Sequence, residues 1–316
     1  MRRLETFLFP AKSTRWLALL RVGLGLEVLI YSFGIAHDWK DLFLSGDRNG
    51  ASREIAEAIL NVSSPFVPRF GWLTLLASRT GIPEAAILQL TWLLLVAAGL
   101  LLVVGLFTRG AAVTAWLLHL SAVSSGGLTA YGVDIFTTIG LFYLAMGPLP
   151  DAYSADALLR ARAGAAPQLV GFFQRVLQVH LCLIYFFGGL AKCLGRGWWD
   201  GTSLWRALTR PPFDLVPTDL VARWSALLLP AGIAVLVLET LYPVFIWPRA
   251  TRKIWLWLVI GMHVGIGAAM GLRLFAFVMI VLNVAAFGED LIPWSLPGRG
   301  KALFATRQNV GPASPV

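Results

Sequence analysis

One lysine stands at the end of a long apolar run, within the stretch YFFGGLAKCLGRGWWDGTSLW that covers residues 185–205. Lysine accepts a proton only as the neutral amine, and partial burial in apolar surroundings favours that form. The next acid along the chain after Lys192 is Asp200, so the local sequence places no carboxylate beside the amine. The sequence leaves open whether Lys192 is an anchor or part of a site; in a site, it is the candidate proton acceptor.

Small and aromatic residues around this lysine leave room for a flat apolar ring. Gly188 and Gly189 have no side chains and so leave space at the helix surface, and the faces of Trp198 and Trp199 can cover a ring. The alternative is that Lys192 is a snorkelling anchor beside an interfacial aromatic belt. A pocket wall and an aromatic belt require the same residue types in nearly the same place.

Other ionisable side chains also lie inside apolar runs. Each costs roughly 3 kcal/mol or more at the centre of a bilayer and needs a partner or a cavity. The candidates for supporting residues of a site are Arg175, His180, His263, and Glu239 with Tyr242 three residues further on. The alternatives are structural: ion pairs of Arg21 with Glu27 and of Arg175 with Glu239, a packing role for His119, and helix packing at the spacings Gly261/Gly265 and Gly267/Gly271.

Composition indicates an integral membrane protein. The 316 residues are 57% hydrophobic and 14% charged, and the mean hydropathy is +0.72, far above that of a soluble domain. The net charge of +9 is spread as short basic clusters between apolar runs, which is a pattern of membrane topology. We therefore expect the lipid bilayer as a partner and no binding of nucleic acid.

Apolar runs of about the length needed to cross the hydrocarbon core predict an all-α polytopic bundle. We predict eight spans, within a range of six to nine because two of the runs are short. These spans are Trp16–Ala36, Glu84–Phe107, Ala111–Ser125, Val133–Met146, Gln168–Ala191, Leu227–Trp247, Ile254–Met270 and Leu272–Phe287.

Lysine and arginine in the short connections predict the orientation, because positive segments resist translocation. Both termini are expected in the cytoplasm, as segments 1–14 and 289–316 on either side of a membrane domain over 15–288. Loops 38–83 and 192–224 then lie on the opposite face, together with Lys192. In the first loop we predict an amphipathic helix over Arg53–Leu60 and an interfacial segment over Phe66–Leu76. The second loop cannot form a continuous helix because it contains Pro211, Pro212 and Pro217.

The chain has two cysteines, Cys182 and Cys193, eleven residues apart. They give no disulfide framework. The two thiols can meet only if the chain bends between them, and two unpaired structural thiols are the favoured interpretation.

Four segments together resemble one membrane family. They are RVGLGLEVLIYSF, YGVDIFTTIGLFYLAMGP, VLQVHLCLIYFFGGLAKCLGRGWWDGTSLW, and ETLYPVFIW followed by MHVGIGAAMGL. They are similar to the HTTM (horizontally transferred transmembrane) family, the membrane domain of vitamin K-dependent γ-carboxylases and of many bacterial relatives, over about Arg15–Phe287. The resemblance implies a catalytic base at Lys192, a functional histidine at His263 and a bacterial inner or plasma membrane location. The orientation predicted from the loop charges then puts the site on the extracytoplasmic side.

The same resemblance implies a cofactor and a reaction class. In the carboxylases a vitamin K-like quinol loses a proton and reacts with oxygen, which generates a base strong enough to deprotonate a carbon acid. His263 would orient or protonate a ring oxygen, and Glu239 would hold either cation, Lys192 or His263, in place. The carboxylases have two adjacent lysines where this chain has Ala191–Lys192. No metal site is expected.

Three hypotheses about function follow. The first is an enzyme, a γ-carboxylase-like or quinol-dependent oxidoreductase that uses a membrane quinone or quinol. The second is a maturation or partner protein that works with a thioredoxin-like thiol oxidoreductase or a secreted peptide, in which case Cys182 and Cys193 matter. The third is a transporter or a structural membrane protein, for which the paired broken helices of inverted repeats would be expected.

Overall fold

The computed structural model describes residues 2–45, 50–127, 130–160 and 165–290. Regular secondary structure in these ranges is entirely helical, which confirms the all-α prediction. Most of the predicted C-terminal tail, from residue 291 onward, lies outside the described residues.

The α-helices of the described ranges are numbered in chain order, and the short 3-10 helices Ser225–Leu227 and Gly288–Asp290 follow α13 and α17. The α-helices are α1 (Arg2–Leu8), α2 (Arg15–Gly34), α3 (Trp39–Phe43), α4 (Gly50–Ser63), α5 (Gly71–Thr80), α6 (Glu84–Val104), α7 (Thr108–Gly126), α8 (Gly132–Met146), α9 (Ala155–Arg160), α10 (Pro167–Cys193), α11 (Arg196–Trp199), α12 (Thr202–Thr209), α13 (Thr218–Arg223), α14 (Leu228–Thr240), α15 (Tyr242–Phe245), α16 (Arg249–Met270) and α17 (Arg273–Phe287).

Each predicted span coincides with a helix, or, in one case, with a pair of helices. Among the described helices, α2, α6, α10 and α16 are long and apolar enough to cross a membrane. The helices α8, α14 and α17 are apolar but shorter. The predicted span Leu227–Trp247 is divided, because α14 ends at Thr240 and α15 begins at Tyr242, next to Pro243. The total of eight crossings and the orientation of the termini stay predictions.

The long helices form two groups that meet at α2 and α17. One group consists of α2, α6, α7 and α8, and the other consists of α10, α14 with α15, α16 and α17. The groups join where α17 packs against α2 and α8. Lys12 bonds to Glu289 at one end of the bundle, which we call the termini end. The opposite end, where α10 reaches Lys192, is called the lysine end.

A buried ion pair ties α2 to the connection after α8. Arg21, 1% exposed, donates from Nε to Oδ2 of Asp151 at 2.6 Å and from Nη1 to the carbonyl oxygen of Leu102 at 2.5 Å. The structural alternative that paired Arg21 with Glu27 is therefore wrong. The sequence did not reveal this partner because Asp151 lies 130 residues away.

The loop over 38–83 is folded against the bundle. Trp39, Phe43 and Phe70 pack edge to face, and the indole of Trp39 donates to the carbonyl oxygen of Leu88 at 2.9 Å. The predicted amphipathic segment Arg53–Leu60 lies within α4. In the second loop, α12 and α13 are separate helices on either side of the three prolines, which confirms the predicted interruption.

Glycines at the helix surfaces differ in what they contact. A Cβ atom at Gly189 would lie 2.4 Å from Oγ1 and 2.6 Å from the amide nitrogen of Thr240, so α10 and α14 approach closely there. Gly267 packs against Ala276 of α17, as its spacing predicted. A Cβ atom at Gly261 or Gly265 would meet no atom of another helix within 4 Å among the described residues, so no close approach there depends on these two glycines.

We expect Gly189→Ala to lower the free energy of unfolding by about 1–3 kcal/mol, because the added methyl group overlaps the Thr240 backbone. Thermal unfolding of the detergent-purified protein measures this as a fall of several degrees in apparent Tm. Gly265→Ala is the matched control, since its methyl group enters open space and alanine is the better helix former. Equal Tm values for the two variants would contradict the close approach.

Candidate functional site

A lysine and a glutamate meet at the lysine end of the bundle. Lys192 lies in the last turn of α10 and Glu239 in the last turn of α14. The Lys192 Nζ atom is 2.5 Å from Oε2 of Glu239, and the two side chains are 26% and 11% exposed. The expectation of no carboxylate beside Lys192 is therefore wrong, because the acid comes from a helix 47 residues further on.

The contact changes what each member of the pair can do. A neighbouring carboxylate stabilises an ammonium, so a lysine in such a pair is first of all a cation. The carboxylate is in turn a proton acceptor that a nearby ammonium keeps in place. The pair thus places a proton acceptor and a positive charge side by side. The acceptor can take a proton from a hydroxyl group, and the positive charge can stabilise the negative oxygen that results.

Glycine and tryptophan surround the pair. A Cβ atom at Gly188 would lie 3.5 Å from Oε2 of Glu239 and 3.9 Å from Nζ of Lys192, so the pair occupies the space left by the missing side chain. The Nζ atom also lies 5.4 Å from the centroid of a ring of Trp198, within cation–π range. Gly188 and Trp198 thus lie beside Lys192, whereas Gly189 packs against Thr240.

A chain of hydrogen bonds runs through the core of the same helix group. The Tyr242 hydroxyl donates to Oδ1 of Asn283 at 2.8 Å, and Nδ2 of Asn283 donates to the Tyr185 hydroxyl at 2.7 Å. The Tyr185 oxygen then lies 2.7 Å from Nε2 of His263. Tyr185 also stacks on Tyr242, with ring centroids 4.2 Å apart. The network holds His263 in one orientation.

This network leaves one buried nitrogen without a partner. Because Asn283 already donates to the Tyr185 oxygen, the Tyr185 hydroxyl proton is directed to Nε2 of His263, which then acts as the acceptor. In the neutral ring the proton lies on Nδ1, and Nδ1 has no hydrogen-bond partner among the described residues. His263 is 2% exposed and lies within electrostatic range of Lys192. A buried N–H group without an acceptor is a place where a ligand oxygen can bind.

Two of the predicted supporting residues lie elsewhere in the fold. His180 bonds to the Tyr143 hydroxyl on α8 at 2.8 Å and is twelve residues, or about 18 Å, from Lys192 along α10. Arg175 donates to the carbonyl oxygen of Phe7 at 2.8 Å, near the termini end. The proposed ion pair between Arg175 and Glu239 is therefore wrong.

Trp199 and Asp200 stabilise the turn after α10. The Trp199 indole donates to the carbonyl oxygen of Cys193 at 2.8 Å. The hydroxyl and amide groups of Thr202 donate to Asp200 at 2.6 and 2.9 Å and hold the pKa of this carboxyl below its usual value. Both contacts are local, so these two residues shape the turn that carries Trp198.

Tyr185 and Asn283 are site residues that the sequence reasoning missed. Tyr185 stands seven residues before Lys192, which places both on one face of α10, and this spacing was a usable signal. Asn283 is a lone amide in the apolar run VMIVLNVAAF, and a polar side chain within such a run needs a partner. Both signals are visible only when uncharged polar residues are considered with the ionisable ones.

A cleft of about 670 Å³ opens at the lysine end, beside this network. The ring of Phe275 lies 5.6 Å from that of His263 and 5.9 Å from that of Phe136, between the histidine and α8. The residues that line the cleft are Ala130, Tyr131, Pro212, Phe213, Leu215, Met270, Gly271, Leu272 and Arg273. Within the described ranges no group of three His, Cys, Asp or Glu side chains is placed to hold a metal ion.

Comparison with protein families identifies the fold. The HTTM domain model matches residues 68–290, more than half of the chain. The chain belongs to the HTTM family. The match includes α10, α14, α16 and α17, which carry the site, whereas α2 precedes it. No match was found among curated proteins or among solved structures. The family assignment and the apolar helices together support an integral membrane protein of the γ-carboxylase-like family.

We expect Lys192→Met and Glu239→Gln each to lower the free energy of unfolding of this HTTM protein by about 1–3 kcal/mol, because each leaves a partly buried charge or acceptor unpaired. The double variant should lose less stability than the two single variants together. Thermal unfolding of the wild type, the two single variants and the double variant measures this. Arg223 and Asp219 form the control pair; they are 4.0 Å apart and 76% and 72% exposed, so their cycle should show almost no coupling. Additive losses for the first pair would show that the contact does not form.

Proposed function

We propose that this HTTM protein binds a lipid-soluble quinol at the lysine end and removes a proton from its hydroxyl group, the opening step of a γ-carboxylase-like or oxidoreductase reaction. The observation that supports this most directly is the unpartnered Nδ1 of His263, a buried donor within electrostatic range of Lys192. A quinol ring has an oxygen at each end. One oxygen could accept a hydrogen bond from Nδ1–H of His263, and the other could give its proton to Glu239 beside the Lys192 ammonium.

The surroundings of Lys192 suit a ligand that arrives from the bilayer. Phe187 is 59% exposed and Leu194 is 83% exposed, so apolar side chains on both sides of Lys192 face outward. Trp198 lies beside the ammonium and offers an aromatic face. A flat apolar ring would rest against these groups, with its polar atoms directed to Lys192, Glu239 and His263.

The chain's own groups divide the work of the proton transfer. The O–H bond of the substrate breaks, and the proton passes to the carboxylate of Glu239. Protonation removes the negative charge of Glu239. The Lys192 ammonium then stabilises the negative charge that remains on the substrate oxygen. His263 donates from Nδ1 to the second ring oxygen, and Tyr185 and Asn283 hold the histidine in place. The quinol supplies reducing equivalents for the later reaction with oxygen that the family relationship implies.

We expect quinone to co-purify with the protein in mild detergent, and Lys192→Ala and His263→Ala each to reduce the amount retained about tenfold. Solvent extraction followed by chromatography and mass spectrometry measures it. His180→Ala is the matched control, since this second histidine lies about 18 Å along α10 from Lys192 and should leave retention unchanged. Wild type without quinone, together with full cellular function of Lys192→Ala, would contradict the proposal.

The cysteines support a second candidate function, that of a partner for a separate thiol oxidoreductase that matures a secreted peptide. Both thiols are free, which confirms the favoured interpretation of unpaired cysteines. The helix α10 is unbroken between Cys182 and Cys193, so they lie about 16 Å apart, too far for a disulfide with each other. Cys193 is partly exposed at the lysine end, whereas Cys182 is buried. Cys193 is therefore the thiol that a partner would reach.

If this second function holds, we expect a mixed disulfide between Cys193 and a thioredoxin-like protein. Membranes are alkylated before lysis, and the adduct is detected on a non-reducing gel. Cys193→Ser should abolish the adduct and impair processing of the peptide, whereas Cys182→Ser, the buried control, should preserve the adduct. Processing that proceeds normally in Cys193→Ser would exclude a thiol role.

A further inference from the structure

A second buried polar cluster lies in the other helix group, away from Lys192. Glu27 of α2 is 1% exposed, and neither of its carboxylate oxygens has a hydrogen-bond partner among the described residues. Thr137 of α8 faces it and is also 1% exposed; its hydroxyl lies beside the Glu27 carboxylate but outside the geometry of a normal hydrogen bond. Asp134, one turn before Thr137 on α8, is 5% exposed and acts electrostatically on Glu27.

An arrangement of this kind is costly unless something else occupies it. An unpaired carboxylate in a low-dielectric interior loses several kcal/mol of solvation, and a second carboxylate nearby adds repulsion. The nearest guanidinium on α2, that of Arg21, is already paired with Asp151. In the described part of the chain, no lysine or arginine side chain forms an ion pair with Glu27 or Asp134.

The groups that face the cluster come from α2, α7 and the start of α8. On α2, Tyr31 lies within electrostatic range of Asp134. On α7, His119 stacks on Tyr31 at 4.9 Å and bonds through Nδ1 to the Thr138 hydroxyl at 3.0 Å. Before α8, Tyr131 donates its backbone N–H group to Oδ2 of Asp134 at 2.8 Å. On α17, which packs against α2 and α8, Arg273 is exposed and lines the cleft.

We propose that Glu27, Asp134 and Thr137 bind one small monovalent cation, sodium, in the centre of this helix group. The donors that face one another are carboxylate and hydroxyl oxygens, the ligands that hard cations prefer. The described residues hold no group of three His, Cys, Asp or Glu side chains of the kind that binds a divalent or transition-metal ion, which favours a monovalent one. A proton shared by two carboxylates would join them by a short hydrogen bond, and neither oxygen of Glu27 makes a hydrogen bond to Asp134.

The cleft at the lysine end gives the cation a route to this site. Tyr131 lines the cleft, and the same residue donates its backbone N–H group to Asp134. Glu27 lies within electrostatic range of Tyr131 as well. Asp134 is therefore the ligand that is hydrogen-bonded directly to a residue lining the cleft. Because its ligands come from both α2 and α8, bound sodium stabilises the packing of these two helices.

The test measures retention of ²²Na⁺ by the purified full-length protein and its apparent Tm in NaCl and in choline chloride at equal ionic strength. We expect saturable ²²Na⁺ binding and a higher Tm in NaCl. Glu27→Gln should weaken sodium binding at least tenfold and remove the difference in Tm, and Thr137→Val should weaken binding without removing a charge. Glu54→Gln is the matched control, since Glu54 is an exposed acid on α4, and it should behave as wild type.

Several results would overturn the cation site. One is equal Tm and no ²²Na⁺ retention in the wild type, which is the outcome expected if only water or a proton fills the cluster. Another is a Tm that depends on pH in the same way in NaCl and in choline chloride. A third is an unchanged response to sodium in Glu27→Gln or, if that variant fails to fold, in Thr137→Val. Quinone retention measured on the same samples keeps this result separate from the quinol proposal.

Discussion

In a protein this apolar, each buried polar group has to find its partner within the chain. Arg21 is satisfied by Asp151 and by backbone carbonyl oxygens, and Lys192 is satisfied by Glu239. The hydrogen bonds from Tyr242 to His263 follow the same rule, except that Nδ1 of His263 has no partner among the described residues. Where the rule holds, it fixes the arrangement of helices. It fails at several buried side chains of the described residues, and the sites proposed for a quinol and for a cation lie at two of them, His263 and Glu27.

The helices could be predicted well from the sequence, because the length and hydropathy of a span are local properties. The predicted spans coincide with α2, α6, α7, α8, α10, α14 with α15, α16 and α17. Ion pairs could not be predicted in the same way. The partners of Arg21 and Lys192 lie 130 and 47 residues away, and which acid reaches which cation depends on how the helices pack. The division of the sixth span at Tyr242 follows from Pro243, which is a local signal.

The candidate site was predicted in part. Five site residues were identified from residue type and from the family resemblance: Lys192, Gly188 and Gly189 on α10, Trp198 on α11 and His263 on α16. Glu239 was identified as an acid that would hold Lys192 or His263 in place, and the structure gives it the contact with Lys192. Asn283 carries no charge and so escaped a search for ionisable residues, although it connects two tyrosines and thereby holds His263.

Gly189 also influences the distance between the charges of Lys192 and Glu239, although it contacts neither charged group. It allows α10 to approach the backbone of Thr240, the residue directly after Glu239, and Lys192 follows three residues later on the same helix. The spacing of the two charged groups is thus determined by the absence of a side chain. Because the attraction between charges falls with distance, evolution can tune the strength of this pair by exchanging one small residue for another, without altering either charged group.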